Sequence, residues 1–381
     1  MKKTITILLS AAMLFTLAFG LVGCNGETEN DAPTRGNDGG LSRLNLVSEY
    51  GRHLEGTTLN IVNWGEFIAE GPDLHVVRAF QELTGIRVNY STFSTNEELH
   101  LRLTSGGAAF DLTFPSDYMI QRLIAEDELY PINFDNIPNF QFIQEDFRNL
   151  FFDPEGIYSV PYVYGMVGLI YNSALVYESP TSWQALWDER YEGQILQFQS
   201  SRDAFALAQF MLGIDLNTTD PDDWYAAAEK LMEQAPLVQA FVADEIYAIM
   251  EGSNAIVGPY YMGDFLLMQE INPDLRFVYP EEGTNRFYDS MVIPRSARNR
   301  EGAEMFINFM LEPDVVLANA NAVPYNFPHT EVNDHPDYIW RGNEVLFPDP
   351  DSLPPLQSFE HLPAEIIALK NRLWNEVQLV R

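Results

Sequence analysis

The chain has 381 residues and carries 22 Lys plus Arg against 55 Asp plus Glu, a formal net charge of −33. So acidic a balance argues against nucleic-acid binding, which rests on cationic contacts to phosphate. It favours cationic small molecules, which such a field attracts and steers, although solubility alone accounts for the acidity equally well. The single cysteine excludes an intramolecular disulfide, so stability must come from an ordinary core, and the length suggests two domains.

The N-terminus reads as an export signal. Lys2 and Lys3 precede an apolar run from Ile5 to Leu21, which predicts a signal peptide over 1–23. "LVGC", ending at Cys24, resembles the bacterial lipobox, and that resemblance implies lipidation of Cys24 as the mature N-terminus. An uncleaved membrane anchor is the alternative, since the run is near the ~18-residue lower limit for spanning. Either way the rest of the chain lies outside the cytoplasm. Residues 24–56 include "NGETENDAPTRGNDGGLSRL", a polar, Gly-rich stretch expected to be a flexible tether.

Strand and helix patterns then alternate. "TLNIVNW" (58–64) predicts a strand and "DLHVVRAFQELTG" (73–85) a helix closed by glycine. "IRVNYSTF" predicts a second strand, and "TNEELHLRLTSG" a helix with a capping-box start. "FDLTFPSDY" and "DYMIQRLIAEDEL" repeat the pair, so the order implies a mostly parallel sheet flanked by helices. "YVYGMVGLIYN" (162–172) is a long apolar strand, with a glycine inside it, that could cross between domains. "TSWQALWDERYEG" (181–193) predicts a helix, "QILQFQSSRDAFALAQFMLG" a strand, turn and helix, and "DPDDWYAAAEKLMEQA" an amphipathic helix with acids in its first turn. "NAIVGPYYMGDFL" is again strand, turn and helix, "FYDSMVIPRSA" a second crossing segment, and "NREGAEMFINFMLEP" the helix after it. The expected fold is α/β and bilobed: two mostly parallel sheets flanked by helices, joined by crossing strands, with a cleft between them. The expected lobes are 57–165 with 288–334, and 166–287 with 335–381.

Open α/β sheets bind ligands beyond the carboxyl ends of their strands, so the residues there are the candidates. The first strand ends in Trp64, Glu66 and Phe67, the next in Ser116 and Tyr118. Later turns give Ser200 and Asp203, then Tyr260, Tyr261 and Asp264, and the crossing segment gives Phe287, Tyr288 and Asp289. Aromatic plus carboxylate recurs, and no Lys occupies any of these turns; Arg202 is expected to point away or pair locally. Such a set suits an alkyl amine, whose methylenes want apolar walls and whose ammonium groups want carboxylates and aromatic faces. Each residue also has a plainer use: the serines as helix caps, Asp203 and Asp264 as first-turn acids, the aromatics as core. Asp289 is hardest to explain that way, because a carboxylate beside the apolar "MVIP" needs a dedicated partner.

"NWGEF", "FDLTFPSDY", "YSVPYVYGMVGLIYN", "TSWQALWDERYEGQIL", "YMGDF" and "FYDSMVIPRSARNREGAEMFINFML" together resemble the bacterial polyamine-binding proteins, the spermidine/putrescine receptors of ABC importers. The likeness runs in order from about Thr58 to Asn326. It implies a type II periplasmic-binding-protein fold, a polyamine ligand, no cofactor and no metal, no enzymatic activity, a membrane permease as partner, and a monomer in the cell envelope. By position it implies a stacking role for Trp64 and polar contacts from Glu66, Ser116 and Tyr118. Asp203 takes the acidic place of the third turn, usually Glu, and Tyr261 the second-lobe aromatic, usually Trp. Phe287 and Asp289 take the crossing-strand aromatic and the main amine anchor, and Tyr325 a late aromatic. Phe67 stands where the family has Tyr. Ser200 replaces the extra Asp of spermidine-preferring members, whereas Asp264 and Phe287 match putrescine-preferring ones, so the resemblance leans to a diamine.

Other readings are a receptor of the same fold for another organic cation, a surface lipoprotein without a ligand, or an extracellular hydrolase using Asp264 and Asp289 as a carboxylate pair. Against the hydrolase, the chain has neither G-x-S-x-G nor H-E-x-x-H, and its six His are scattered.

Overall fold

The computed structural model describes residues 38–106 and 109–380, so the predicted signal peptide and Cys24 lie outside the described residues. The elements run in the order β1 (Thr58–Trp64), α1 (Val76–Thr84), β2 (Arg87–Phe93), α2 (Asn96–Thr104), β3 (Leu112–Thr113) and α3 (Asp117–Ala125). Next come β4 (Ser159–Asn172), β5 (Ile195–Phe198), α4 (Ser201–Leu212), α5 (Pro221–Gln234), β6 (Val238–Val242), α6 (Glu245–Glu251), β7 (Val257–Tyr261) and α7 (Met262–Ile271). The chain closes with β8 (Leu275–Val278), β9 (Thr284–Val292), α8 (Arg300–Met310), α9 (Pro313–Ala322), β10 (Leu356–Gln357) and α10 (Ala364–Gln378).

Local chemistry explains the helix ends. Gly85 stops α1 in the left-handed region, at φ 72°. Thr95 starts α2 by accepting from the Glu98 N–H at 3.1 Å, while the Glu98 carboxylate accepts from the Ser94 N–H. Asp220 caps α5, with Pro221 at its first position.

The strands lie in the order β2-β1-β3-β9-β4-β7-β5-β6, with β10 on β9 and β8 on β4. One half has β1 parallel to β2 and β3, and the other has β5 parallel to β6 and β7. The two long strands β4 and β9 pair antiparallel and run through both halves. The ladder of β4 to β9 extends from Ser159↔Val292 to Met166↔Arg286, and from Val167 onward β4 pairs with β7. Nearly every residue of β4 is buried, which is why its sequence is a continuous apolar run and not an alternation. The glycine within it has a packing reason: a Cβ on Gly165 would stand 2.7 Å from the Phe287 ring and 3.0 Å from that of Tyr325.

Three expectations need correction. The stretch 181–193 is two short 3-10 turns, Trp183–Trp187 and Glu189–Tyr191, not one helix. Ser182 accepts from the Gln184 N–H and Asp188 from the Arg190 N–H, so two caps in close succession restart the chain. The second half holds a third strand–helix unit, β6 with α6, beyond the two that the sequence pattern predicts. The tether does not extend to 56: from residue 38 the chain lies on the body. Leu44, Leu46 and Tyr50 pack against the core, and the buried Glu312 carboxylate accepts from the Val47 N–H at 2.7 Å, the Ser48 N–H at 3.0 Å and the Tyr50 hydroxyl at 2.8 Å. The C-terminal segment reaches both halves. α10 packs on α5 and α4, and its buried Lys370 ammonium donates to Ser201 Oγ at 2.9 Å and lies 3.4 Å from Glu97 on α2. No described helix is long and apolar enough to cross a membrane.

Candidate functional site

The carboxyl ends of β1, β2 and β3 and those of β5, β6 and β7 face one cavity of about 100 Å³, several times what one water molecule needs. Twelve predicted residues line it: Trp64, Phe67, Ser116, Tyr118, Ser200, Asp203, Tyr260, Tyr261, Asp264, Phe287, Asp289 and Tyr325; Tyr288 packs in the core instead. Glu66 does not line it. It follows Gly65 at φ 48°, a left-handed turn that leaves it exposed and outside the lining. Among the described residues of the lining there is no Lys, Arg or His.

Aromatic rings form the walls. The Trp64 indole N–H donates to the Phe114 carbonyl at 2.7 Å, and its ring rests on Phe93, 4.3 Å between centroids. Phe67, Tyr325, Phe287 and Tyr261 run edge to face, each 5.4–5.8 Å from the next.

Four aspartates supply the charge. Asp203 and Asp264 each sit in the first turn of a helix, α4 and α7. Burial pushes both carboxyls up to about 6. Asp203 accepts from the Tyr261 hydroxyl at 3.4 Å. Asp264 accepts from the Tyr247 hydroxyl at 2.5 Å and from that of Tyr325. Asp289, on β9, is pushed up to about 7, chiefly by burial, with the Ser116 hydroxyl bond opposing and Asp203 adding repulsion. Its Oδ1 is buried without any hydrogen-bond partner among the described residues. The fourth, Asp244, is raised by burial as well.

The serines settle between two uses. Ser116 and Ser200 both occupy helix N-cap positions, yet neither side chain caps its helix. Ser116 Oγ accepts from Asn96 Nδ2 at 3.0 Å and opposes the upward shift of the Asp289 carboxyl, as Ser200 does for Asp203. Arg202 turns away from the cavity. It is 2% exposed, donates to Asn217 Oδ1 at 2.8 Å and lies over the Phe359 ring at 4.6 Å.

Several lining residues escaped the sequence. Phe93 and Asn96 flank the turn after β2, Asp244 follows β6, and Phe359 comes from the C-terminal segment. For Asp244 a signal existed: "VQAFV" followed by "ADE" repeats the strand-then-acid pattern of the other turns.

Chemically, the cavity offers apolar walls and buried carboxylates with too few donors. Fold and cavity define a two-lobed substrate-binding protein. Residues 75–343 match the family of bacterial extracellular solute-binding proteins. The spermidine/putrescine-binding periplasmic protein of Escherichia coli is 32% identical over 302 residues, 78% of this chain and 85% of its own. Among solved structures, a candidate spermidine/putrescine ABC transporter protein from Listeria monocytogenes superposes with a TM-score of 0.79 at 34% identity, covering 86% of this chain and 100% of that one. The spermidine/putrescine substrate-binding protein PotD from Streptococcus pneumoniae, solved with calcium and HEPES, gives 0.69 at 33% identity over 85% of this chain and 99% of its own. The chain therefore belongs to the bacterial extracellular solute-binding proteins and, among them, to the polyamine-type substrate-binding proteins of ABC transporters.

Proposed function

We propose that this protein captures a polyamine, putrescine in preference to spermidine, in the interlobe cavity and delivers it unchanged to an ABC permease. The observation that carries the reading is Asp289: a carboxylate 4% exposed, with one oxygen unpartnered, in a cavity whose described lining holds no cation. Burying such a charge is costly unless it is paired, and an alkyl ammonium pairs it. The names of the Escherichia coli and Streptococcus pneumoniae relatives support the same ligand class. In this reading the methylene chain lies against Trp64, Tyr261 and Phe287. One ammonium meets Asp289, helped by Asp203 and Ser116, and the other meets Asp264. Asp264, and Ser200 where spermidine-preferring relatives carry Asp, favour the shorter diamine.

The lobe boundaries are taken at 165/166 and 287/288. The change of β4 partner between Met166 and Val167 supports the first of these. The "LVGC" motif supports a lipid anchor on Cys24 at the outer face of the cytoplasmic membrane, and the protein is taken to act there as a monomer.

Calorimetry with putrescine, cadaverine, spermidine and spermine side by side tests the ligand. Saturable one-to-one binding with putrescine tightest is expected. Absence of heat with all four would end the polyamine reading, and tighter spermidine binding would end the diamine preference. Mass spectrometry should recover the amine intact after incubation.

A further inference from the structure

Asp244 has no place in the assignment above. It stands at the N-cap position of α6, just past β6, and lines the cavity from its rim. Although the residue is exposed overall, both carboxylate oxygens have protein against them. Oδ1 accepts from the Tyr260 hydroxyl at 3.3 Å, and Oδ2 lies 2.8 Å from where a Cβ on Gly65 would stand. Gly65 directly follows β1 in the other lobe, so this carboxylate sits at the seam where the lobes touch. None of the ion pairs among the described residues includes Asp244.

Repulsion links the four cavity carboxylates two by two. Asp244 acts on Asp264, and Asp203 acts on Asp289. The pairs differ in what they lack. Asp264 already accepts from two tyrosine hydroxyls, which take about half of a carboxylate's roughly four lone-pair sites. An alkyl ammonium brings three donors, more than the remainder of Asp264 serves well.

We propose that Asp244 is a ligand-binding carboxylate which, with Asp264, forms a two-carboxylate pole for one ammonium of the bound amine, placed at the lobe seam. The inference rests on the polyamine reading. An ammonium held there contacts a side chain packed on the opposite lobe, so binding at this pole favours the arrangement in which the lobes meet. The Asp203 and Asp289 pole takes the other ammonium, independently of Asp244.

Calorimetry with putrescine on the full mature chain tests this with the isosteric variants Asp244→Asn, Asp264→Asn and Asp289→Asn and the two doubles containing Asp244→Asn. Asp244→Asn should weaken binding about tenfold, between an exposed ion pair and a fully buried one. Combined with Asp264→Asn, the loss should be smaller than the product of the single losses, because both act on one ammonium. Combined with Asp289→Asn, it should equal the product. Wild-type affinity in Asp244→Asn, or a full product with Asp264→Asn, would overturn the assignment while leaving the polyamine reading intact. Failure of the wild-type protein to bind putrescine overturns both.

Discussion

Glu312 and Asp289 are both buried carboxylates, at 0% and 4% exposure, and the protein surrounds them in opposite ways. Glu312 accepts from two backbone N–H groups, a tyrosine hydroxyl and the Asn139 amide. Asp111 and Asp153 follow the same plan, each accepting from three or more donors on neighbouring loops and strand ends. Asp289 has the Ser116 hydroxyl and an orphaned oxygen. Residue type and burial do not separate scaffold from site here. Between Glu312 and Asp289 the number of fixed donors does: Glu312 is saturated within the protein, and Asp289, on the cavity wall, has room for a partner from outside; position matters too, since Asp117 is buried with an unpartnered Oδ2 and does not line the cavity.

The comparison can be broken most forcefully at Asp289. Asp289→Asn should cost about 2–5 kcal/mol of putrescine affinity, as for truncating one member of a buried charged pair, while leaving the ligand-free fold intact. Unaltered calorimetric affinity would remove Asp289 from the site. The mirror experiment is Glu312→Ala, which strands several buried donors. It should cost about 3 kcal/mol of stability in urea and leave the affinity of the folded protein unchanged; a variant as stable as wild type would contradict the scaffold role.

Acidity sharpens the contrast further. With Asp289 near 7 and Asp203 and Asp264 near 6 in the free protein, amine binding must ionise them. Affinity should fall as pH drops from 8 through 6, by up to about tenfold per unit for each carboxyl that must lose its proton. A flat profile would mean the carboxylates are ionised beforehand. The same shifts act on stability with the opposite sense. A carboxyl raised above its unfolded value contributes stability that is full below about 4 and is lost as pH rises through the folded value. The ligand-free wild type should therefore lose stability relative to Asp289→Asn between pH 5 and 8, read as a difference in thermal midpoints. The smallest effect concerns the wall: Trp64→Ala should weaken binding by about 1–2 kcal/mol, and an indifferent result would make Trp64 a core residue only.

Most of this site was legible because strand ends are legible. A β-prone run that stops in Pro-Ser or Trp-Gly marks where a parallel sheet offers its ligand edge, and Trp64, Ser116, Asp203 and Asp264 follow from that. What failed did so for local reasons. Glu66 was expected to face the cleft, but a non-glycine residue at positive φ cannot be read from composition, and the turn sends it to solvent. Ser116 and Ser200 stand at cap positions, where sequence cannot tell a capping hydroxyl from one aimed at a carboxylate. Asp244 is hard to read because "VQAFV" is a strand of only five residues with mixed burial. Phe359 lies far along a loop-rich segment whose docking depends on tertiary contacts.

The paired strands β4 and β9 have a mechanical meaning. They are the only ladder that continues from one lobe into the other among the described residues. A hydrogen-bonded ribbon resists sliding, because sliding breaks its register, but it twists at little cost, since twist is its natural deformation. The soft motion expected of the molecule is therefore a rotation about the ribbon: spin labels at Asn89 and Gln239 should report a distance change with ligand, and an unchanged distance would contradict it. Asp289 belongs to that ribbon, opposite Val163. For a rotation about that ribbon Asp289 would be displaced least, so a ligand moored there would stay in place while the remaining walls swing to meet it.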